Sequence, residues 1–253
     1  MDGVWNANIH DDARLAACVP GTAAAVLNVG CGDGFLAARL ARRVPLVVAI
    51  DTNAPVLGRA RARFPDAPVT WCHGDILTSL LERESFDAVV SNAALHHLPD
   101  ARAALRRLSH LVRPGGTLAI AGFIRTEWRD WPWAVTAFIS LGAANRLHGR
   151  WEHTAPQAWP PRDTFRQLRQ AAREILPGAR IRHRLMRRYL LTWTRPLTDP
   201  GGPVAPRPRR ADCLGPIGSA GSHRQTQEPG DCCSPVPGVL RPAHPGVGAS
   251  SGT

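Results

Sequence analysis

The sequence predicts an α/β fold in which a mostly parallel sheet carries helices on both faces. Short aliphatic runs, such as residues 46–50, have the composition of strands that are buried on both sides. Helical stretches with apolar residues on one face separate these runs. Parallel neighbours in a sheet need crossover connections, so the repeated alternation of strand and helix predicts parallel pairing. A glycine-rich segment directly after the first run is the third observation, and it is typical of a ligand-binding turn in such folds.

Four strand–helix pairs and a fifth strand are predicted along the first 122 residues. Pro65 limits the second helix, because the residue before a proline disfavours the α conformation. The run Arg113–Gly116 (RPGG) ends the fourth helix. The predicted strands span 24–29, 46–50, 69–72, 86–91 and 117–122, and the predicted helices span 35–43, 54–63, 76–84 and 101–112.

The pattern changes after the fifth strand. Tryptophans are concentrated in residues 128–159, which read as an irregular and partly helical insertion. They could form an aromatic lid over an apolar or planar substrate, and core packing explains them equally well. A helix over 162–176 and two final strands over 181–185 and 189–194 are predicted to complete the domain.

Residue 196 marks a predicted domain boundary. Beyond Pro196 the chain is rich in Gly, Pro, Ser and Arg, and it has neither a helical nor a strand period. Such a segment cannot offset its ordering entropy by burying apolar surface. The sequence therefore predicts one folded domain over 1–196 and an unstructured tail over 197–253.

Charge is distributed unevenly over the chain, whose formal net charge is +11. Residues 1–100 contain 8 arginines and 11 acidic residues, whereas residues 101–196 contain 18 arginines and 5 acidic residues. The chain has no lysine, which suggests a GC-rich coding sequence and weakens the basic excess as a sign of nucleic-acid binding. A basic face for RNA or for an acidic small substrate stays open beside a solvated arginine surface.

The sequence lacks the signatures of several other protein classes. Its six cysteines form no CxxC pair and no metal-ligand spacing, so neither a disulfide framework nor a metal site is predicted. No apolar run reaches the roughly 18–20 residues that span a bilayer, and the first residues lack a basic and then apolar leader. A cytoplasmic protein without a membrane partner is expected, and the sequence does not indicate its oligomeric state.

Gly30, Gly32 and Gly34 connect the first strand to the first helix in the segment VLNVGCGDGFL. A sharp turn there needs φ values that glycine tolerates cheaply, and a missing Cβ lets a ligand approach the helix N-terminus. The GxGxG spacing differs from the GxGxxG of pyrophosphate-binding dinucleotide sites. Asp51 ends the second strand 21 residues after Gly30, where an acidic residue holds ribose hydroxyls in Rossmann-like sites. Capping of the helix near Ala54 is the alternative role for this carboxylate.

Five successive motifs between about residues 24 and 122 carry a family resemblance. They are VLNVGCGDG, AIDTN, HGDI, FDAVVSNAALHHL and LVRPGGTLAI. Together they resemble the motifs of the small-molecule class I S-adenosylmethionine (SAM)-dependent methyltransferases, and the nearest group is similar to the ubiquinone and menaquinone C-methyltransferases. The ending LPGARIRHRLMRRYLLTWTRP resembles the closing hairpin of related small bacterial enzymes. The resemblance implies a Rossmann-like sheet of seven strands, the last of them antiparallel, and SAM as the cofactor.

The resemblance also implies roles for single residues. The glycine loop would pass under the methionine half of SAM, and Asp51 would hold the ribose. Asp75 and Ile76 would meet the adenine, although a turn before the next helix is the alternative role for Asp75. Asn92 and Ala93 would flank the sulfonium. The residues implied in cofactor binding are Asn28, Gly30, Cys31, Gly32, Gly34, Asp51, Thr52, Asp75, Ile76, Asn92 and Ala93.

Asn28 departs from the resembled family, most members of which carry Asp at this place. Asparagine keeps an acceptor oxygen but loses the charge that strengthens a hydrogen bond to an ammonium group, a difference on the order of 1 kcal/mol. Weaker cofactor binding is the expected consequence.

His96 and His97 are the candidate catalytic residues. They follow the fourth strand at the carboxyl edge of the sheet, where open α/β folds bind ligands. Either imidazole could take a proton from a phenol, a hydroxyl or a carbon acid, and packing or cofactor contact is the alternative role for both. Residues 8–10 could cover the cofactor, as the N-terminal segment does in the resembled enzymes.

The sequence predicts transfer of a methyl group from SAM to an oxygen, carbon or sulfur acceptor on a small molecule. The (Asp/Asn)-Pro-Pro-aromatic signature of amino-group methylation is absent, because SNAALHH stands in its place. RNA or protein methylation stays open on the basic excess, although no RNA-binding module is appended. Asn28 supports another alternative, a non-catalytic SAM-binding partner subunit. A nicotinamide oxidoreductase is disfavoured by the glycine spacing and by the absence of a YxxxK pair.

Overall fold

A computed structural model describes residues 7–125, 161–184 and 187–197, together with residues 135, 142 and 146. The tryptophans of the segment 128–159 and the predicted tail after Leu197 lie outside the described residues, as does Leu185 of the sixth predicted strand. Among the described residues, no helix combines the length and the apolar composition that crossing a membrane requires.

The described part of the chain forms seven strands and five α-helices. The strands are β1 Ala25–Val29, β2 Leu46–Asp51, β3 Val69–His73, β4 Phe86–Asn92, β5 Val112–Phe123, β6 Arg180–Arg184 and β7 Arg188–Thr194. The helices are α1 Ala7–Cys18, α2 Phe35–Ala41, α3 Ala54–Arg63, α4 Ala101–Leu111 and α5 Phe165–Ile175. A 3₁₀ turn at Leu95–His97 follows β4.

All seven strands form one sheet in the order β3-β2-β1-β4-β5-β7-β6. The pairs among β1 to β5 are parallel, whereas β7 runs antiparallel to both β5 and β6. The α/β class and the antiparallel last strand are therefore confirmed. The carboxyl ends of β1, β2, β4 and β5 and the start of β7 all lie at one edge of the sheet, which we call the carboxyl edge.

The two faces of the sheet bury separate apolar clusters. One cluster joins α1 and α2 to the side chains of Val26, Val90 and Ala121, and Leu57 of α3 belongs to it. The other joins α4 and α5 to the alternate strand positions, such as Leu27. Because side chains alternate along a strand, Asn28, Asn92 and Arg188 share the face that α1 covers.

The polar residues at helix starts explain several boundaries. The Asn53 side chain accepts from Val56 N–H at 3.0 Å to cap α3, and the Asp100 side chain accepts from Arg102 N–H at 2.7 Å to cap α4. Thr164 forms a capping box before α5, which therefore begins three residues after the predicted start at residue 162.

Residues 76–84 were predicted to be helical, and this prediction is wrong. Asp75 starts a single turn, in which its carbonyl accepts from Ser79 N–H at 2.8 Å. The guanidinium of Arg107 then donates to the carbonyl oxygens of Ile76, Ser79 and Leu81 at 3.1, 2.8 and 3.0 Å. A continued helix would need these carbonyls for its own hydrogen bonds, so a tertiary interaction replaces the local one.

Helix α1 was not predicted as a helix. Its sequence ANIHDDARLAAC places Asp11 and Asp12 where an amphipathic helix would carry apolar side chains, and both are buried, at 4% and 5% exposure. The two acids interrupt the apolar stripe that reveals a helix in a sequence. Leu15 and Ala16 on the next turn complete the buried surface.

Candidate functional site

The glycine loop at residues 30–34 lies at the carboxyl edge between β1 and α2. Its three glycines have φ values of 65°, 52° and 83°, a region that side chains rarely adopt. The backbone N–H groups of Gly30 and Cys31 donate to the carbonyl oxygen of Ile50 at 2.8 and 3.2 Å. The loop is therefore fastened to the end of β2.

Only one of the three glycines leaves open space. A Cβ on Gly30 would lie 2.2 Å from the Cβ of Ala94, and a Cβ on Gly34 would lie 2.7 Å from the indole of Trp71. A Cβ on Gly32 would meet no described atom within 4 Å. The outer glycines are thus required by packing, whereas the described residues leave room beside Gly32.

Asp51 organises this part of the edge. Its Oδ2 accepts from Gly32 N–H at 2.8 Å, and its Oδ1 accepts from Asn53 N–H at 2.9 Å. A carboxylate has about four lone-pair sites, so it retains acceptor capacity for ligand hydroxyls. The helix is capped by Asn53 and not by Asp51, which removes the alternative role considered for this carboxylate.

The other residues implied in cofactor binding on this half of the edge lie beyond the ends of β2 and β3. Asp75 accepts from Leu77 N–H through Oδ1 at 2.9 Å, so its turn role is present in the structure. Ile76 is buried in the apolar cluster against α4. Thr52 is exposed, and its carbonyl oxygen lies 3.1 Å from His73 Nε2. The binding roles of these residues stay predictions.

Asn28 and Cys31 are buried at the start of the same loop. Asn28 is 1% exposed, and its Nδ2 has no hydrogen-bond partner among the described residues. Burial, followed by the negative charge of Asp51, raises the pKa of the Cys31 thiol well above its ordinary value. The thiol is therefore neutral, and the amide nitrogen of Asn28 is a buried donor without a hydrogen-bond acceptor among the described residues.

Asn92, at the end of β4, is held on both sides of its amide. Its Nδ2 donates to Asp12 Oδ1 at 2.7 Å, and its Oδ1 accepts from Arg188 Nη2 at 2.5 Å. A carboxylate only accepts and a guanidinium only donates, so this pair of contacts fixes the orientation of the amide. Ala93 follows with a φ of 55° and donates its N–H to the Ala121 carbonyl at 2.8 Å.

Asp11 completes a buried charged network beneath α1. Arg188 Nε lies 2.5 Å from Asp11 Oδ2, and the Arg188 side chain is 2% exposed. Its guanidinium carbon also lies 4.4 Å from the centre of the Phe123 ring. We call Asp11, Asp12, Asn92 and Arg188 the α1 clasp.

Burial sets the protonation behaviour of the clasp. It raises the pKa of Asp12 to about 6, although the hydrogen bond from Asn92 and the charges of Arg39 and Arg188 oppose the shift. Burial also lowers the pKa of Arg188, against the opposing effect of Asp11. An arginine remains protonated at neutral pH. The clasp therefore holds one cation against two carboxylates, one of which takes up a proton near pH 6.

The two candidate catalytic histidines stand next to the clasp. The ring centres of His96 and His97 are 4.2 Å apart, and the His96 ring meets Phe123 edge to face at 5.6 Å. Burial, with the charges of His97 and Arg188, lowers the pKa of His96 to about 4. His96 is thus neutral at pH 7, and its buried Nδ1 has no hydrogen-bond partner among the described residues. Burial also lowers the pKa of His97, while Asp51 opposes this shift.

Most of the residues that the sequence analysis singled out therefore lie at the carboxyl edge. Three further residues, which the sequence analysis did not single out, lie there as well. Asp11 and Asp12 were missed because they lie on the unpredicted helix α1, and Arg188 was missed because it is the last of several arginines in residues 180–188. The pairing of Phe123 with Arg188 in the sheet register would have placed that arginine at the site. Among the described residues, His, Cys, Asp and Glu side chains do not come together in groups of three that could hold a metal ion.

Comparison with known proteins gives a consistent result. The model of a family described as a methyltransferase domain matches residues 27–120. An uncharacterized methyltransferase of Mycobacterium tuberculosis is 55% identical over 197 residues, which are 78% of this chain and 100% of the relative. A demethylmenaquinone methyltransferase of Clavibacter sepedonicus is 27% identical over 214 residues, which are 81% of this chain and 86% of the relative.

A solved structure shares the fold. It is an S-adenosylmethionine-dependent methyltransferase from Mesorhizobium loti, with a TM-score of 0.51 and 19% sequence identity. The likeness covers 73% of this chain and 97% of that one. At this identity the likeness speaks for the fold alone, and the sequence relatives carry the family assignment.

Proposed function

The chain belongs to the class I S-adenosylmethionine-dependent methyltransferases, and we propose that it transfers the methyl group of SAM to an oxygen, carbon or sulfur atom of a small molecule. The observation that carries this proposal is the Asp51–Gly32 contact at the carboxyl edge. It places a carboxylate with spare acceptor capacity beside a glycine whose added Cβ would meet no described atom within 4 Å.

The residues present fit SAM. Gly32 leaves space for a ligand against the loop backbone, and the Asp51 oxygens can accept from ribose hydroxyls. The buried amide of Asn28 offers an unused polar group near the start of the loop. When bound, SAM supplies a methyl group on a positively charged sulfur that an acceptor can displace.

The protein's part in such a displacement is positioning and exclusion of water. The fixed amide of Asn92 and the Ala93–Ala121 hydrogen bond hold the end of β4 rigid beside the loop. His96 is neutral at pH 7, so it can accept a proton from an acceptor hydroxyl or thiol at an imidazole nitrogen. Its pKa of about 4 makes it a weak base, so this role suits acceptors that are already acidic.

Two features support a small acceptor. Helix α1 contacts β4 and β5, and the clasp fastens it beside the end of β4, which supports a compact site at this edge. The Clavibacter relative, which matches over most of its length, is named for the methylation of demethylmenaquinone. The full length of the Mycobacterium relative matches 197 residues of this chain, a length close to that of the domain proposed over 1–196.

Calorimetric titration of the full chain with SAM tests the cofactor site. We expect micromolar binding that Asp51→Ala abolishes and that Asp66→Ala, at an exposed position after α3, leaves intact. Nicotinamide dinucleotides should not bind. Absence of SAM binding by the wild-type protein would sink the catalytic proposal and favour a partner-subunit role.

Transfer of label from methyl-tritiated SAM tests the acceptor class. A bacterial extract is divided into small molecules, RNA and protein, and each fraction is incubated with the enzyme. Label should enter the small-molecule fraction and disappear with Asp51→Ala. Label in RNA or protein alone would overturn the small-acceptor proposal.

RNA is the second candidate acceptor, because positive charge is concentrated on α5 and β6. Arg169, Arg173, Arg180 and Arg182 line a cleft of about 290 Å³ there, and none of them has an ion-pair partner among the described residues. Such a surface attracts phosphates. The cleft lies on the edge strand of the sheet, where charged side chains also prevent edge-to-edge pairing.

A further inference from the structure

The α1 clasp is an unusual way to stabilise a fold. Removing ions from water is costly, and replacing a buried ion pair by apolar side chains of similar size is often neutral or stabilising. Simple packing of α1 on the sheet would not require Asp11, Asp12 and Arg188 at 5% exposure or less. The charges are better explained by what they hold in place.

The clasp converges on one side chain, Asn92. Arg188 donates to its oxygen and Asp12 accepts from its nitrogen, so both ends of the amide are fixed by elements that are distant in the sequence. Asp11 holds the same guanidinium from the neighbouring position of α1. The orientation of Asn92 therefore depends on α1 and β7 docking together.

Contacts continue from Asn92 to the cofactor loop. Ala93 takes a left-handed conformation and is anchored to Ala121 on β5. The next residue, Ala94, fills the space beside Gly30. A Cβ added to Gly30 would lie 2.2 Å from the Cβ of Ala94. A shift of the Asn92–Ala94 backbone would therefore press directly on the first glycine of the loop.

We propose that Asp11, Asp12 and Arg188 are positioning residues, which couple the docking of α1 to the geometry of the cofactor loop through Asn92. The proposal deepens the proposed function and rests on it. Docked α1 holds the Asn92–Ala94 backbone against Gly30, and loss of the clasp loosens both together. The pKa of Asp12 near 6 is consistent with a carboxylate that is buried by this docking.

The chain contains a matched control, Arg195. It follows β7 at the opposite, amino edge of the sheet and is 7% exposed. Its Nη2 lies 2.7 Å from Glu84 Oε1, and its Nη1 donates to the Val112 carbonyl at 2.9 Å. Removing Arg188 leaves the buried Asp11 without its cation, and removing Arg195 leaves the partly exposed Glu84 without its cation, but of the two arginines only Arg188 touches Asn92.

The test compares Arg188→Met with Arg195→Met in the full chain. Hydrogen exchange of segments 7–18 and 92–98 is measured without ligand, and SAM affinity is measured by calorimetry. We expect Arg188→Met to speed exchange in both segments and to weaken SAM binding roughly tenfold, a typical coupling between linked sites. Arg195→Met should lower the melting temperature but keep SAM affinity within about twofold of wild type.

The double variant Arg188→Met/Asp11→Asn separates positioning from stability. It removes one of the carboxylates left without a cation, so it should regain melting temperature relative to Arg188→Met. SAM affinity should stay low, because Asn92 still lacks its donor. The conservative Arg188→Lys should lie between wild type and Arg188→Met, since an ammonium cannot reproduce the planar fork that reaches two partners.

Three results would overturn the proposal. One is unchanged exchange in segment 92–98 of Arg188→Met. Another is an equal loss of SAM affinity in Arg188→Met and Arg195→Met, and the third is recovery of affinity together with stability in the double variant. If the wild-type protein fails to bind SAM, the proposed function fails, while the exchange measurement still tests the clasp because it needs no ligand.

Discussion

The carboxyl edge has two halves that are built from different material. On the β1–β2 half, backbone groups make the main hydrogen bonds: the N–H groups of Gly30, Cys31 and Gly32 donate to residues at the end of β2. On the β4–β7 half, buried charged side chains from α1 and β7 hold Asn92. The first half needs particular backbone conformations, and the second needs particular charges brought together from distant parts of the chain.

This difference predicts different responses to substitution. The cofactor loop should fail through steric conflict, which is independent of pH. The clasp should respond to pH and charge, because its members exchange protons or leave carboxylates unpaired. Four changes test the contrast.

Gly30→Ala should have the largest effect. The new Cβ would lie 2.2 Å from the Ala94 Cβ, and the residue would have to keep a φ of 65°. Overpacking and left-handed strain together predict a loss of about 3 kcal/mol in the free energy of unfolding. Chemical denaturation measures this loss, which should be the same at pH 5 and pH 7.5.

Two glycine variants are matched to this change. Gly58→Ala, within α3, would place a Cβ that no described atom approaches within 4 Å, and it should stabilise by about 0.5–1 kcal/mol. Gly32→Ala, also without a neighbour within 4 Å, should cost only the left-handed strain of about 1–2 kcal/mol. An equal loss in Gly30→Ala and Gly32→Ala would contradict the steric explanation.

The same contrast explains what could be predicted from the sequence. A glycine loop between an aliphatic strand and a helix is a local pattern, so Gly30–Gly34 and Asp51 were found at the edge where the structure has them. The clasp is not local: Asp11 and Arg188 lie far apart in the chain and meet only after the sheet forms. The acids at buried positions of α1 also interrupt its apolar period, so the helix was not predicted.

The wrong helix at residues 76–84 has a similar cause. Helical periodicity indicates the conformation that the segment prefers by itself. In the structure, Arg107 of α4 donates hydrogen bonds to three carbonyl oxygens of the segment. A side chain far along the chain overrode the local preference. The sequence thus predicts elements whose hydrogen bonds are internal better than segments whose backbone groups bind distant side chains.

Asp12→Asn should have the next largest effect, and it should depend on pH. Burial raises the pKa of Asp12 from 3.8 to about 6, so between these values the folded protein binds more protons than the unfolded chain. In the wild type, acidification through this range therefore stabilises the fold. Asparagine lacks the buried charge, so the variant should be more stable by about 2–3 kcal/mol at pH 7.5, with this advantage lost by pH 4.

Urea denaturation at pH 4, 5, 6 and 7.5 measures this effect. Asp66→Asn, an exposed acid outside the site, is the control and should follow the wild type at each pH. A variant that is less stable than the wild type at pH 7.5 would mean that the hydrogen bond from Asn92 and the attraction of Arg39 and Arg188 outweigh the burial of Asp12.

His96→Gln should produce a smaller change of opposite sign. The pKa of His96 falls from 6.5 to about 4, so in this range the unfolded chain binds more protons than the folded protein. Acidification from pH 6.5 to pH 4 therefore destabilises the wild type through this residue, by about 1–2 kcal/mol after allowance for its partial exposure. Removing the imidazole should make the variant lose less stability on acidification.

The comparison of these two variants is sharper than either alone. Asp12 and His96 act in overlapping pH ranges with opposite signs, so their contributions to stability should partly cancel in the wild type between pH 4 and pH 6.5. On acidification, Asp12→Asn should show the loss of stability caused by His96. His96→Gln should show the gain of stability caused by Asp12. Parallel profiles for the two variants would refute the assigned directions of both pKa shifts.

Asn28→Asp should have the smallest effect and should appear in ligand binding. A carboxylate at this buried position would strengthen a hydrogen bond to an ammonium group of SAM by about 1 kcal/mol, which corresponds to roughly fivefold tighter binding. Without ligand, the added charge is buried at a position that is 1% exposed, so the melting temperature should fall. Calorimetry and thermal denaturation with and without SAM measure both changes, and Asn53→Asp, which keeps the cap of α3, should change neither appreciably.

The two possible results for Asn28→Asp have different meanings. Tighter SAM binding together with a less stable ligand-free protein would show that a buried charge on the β1–β2 half lowers stability while it improves ligand binding. Weaker binding in a correctly folded Asn28→Asp protein would instead mean that the unpartnered amide of Asn28 donates to SAM.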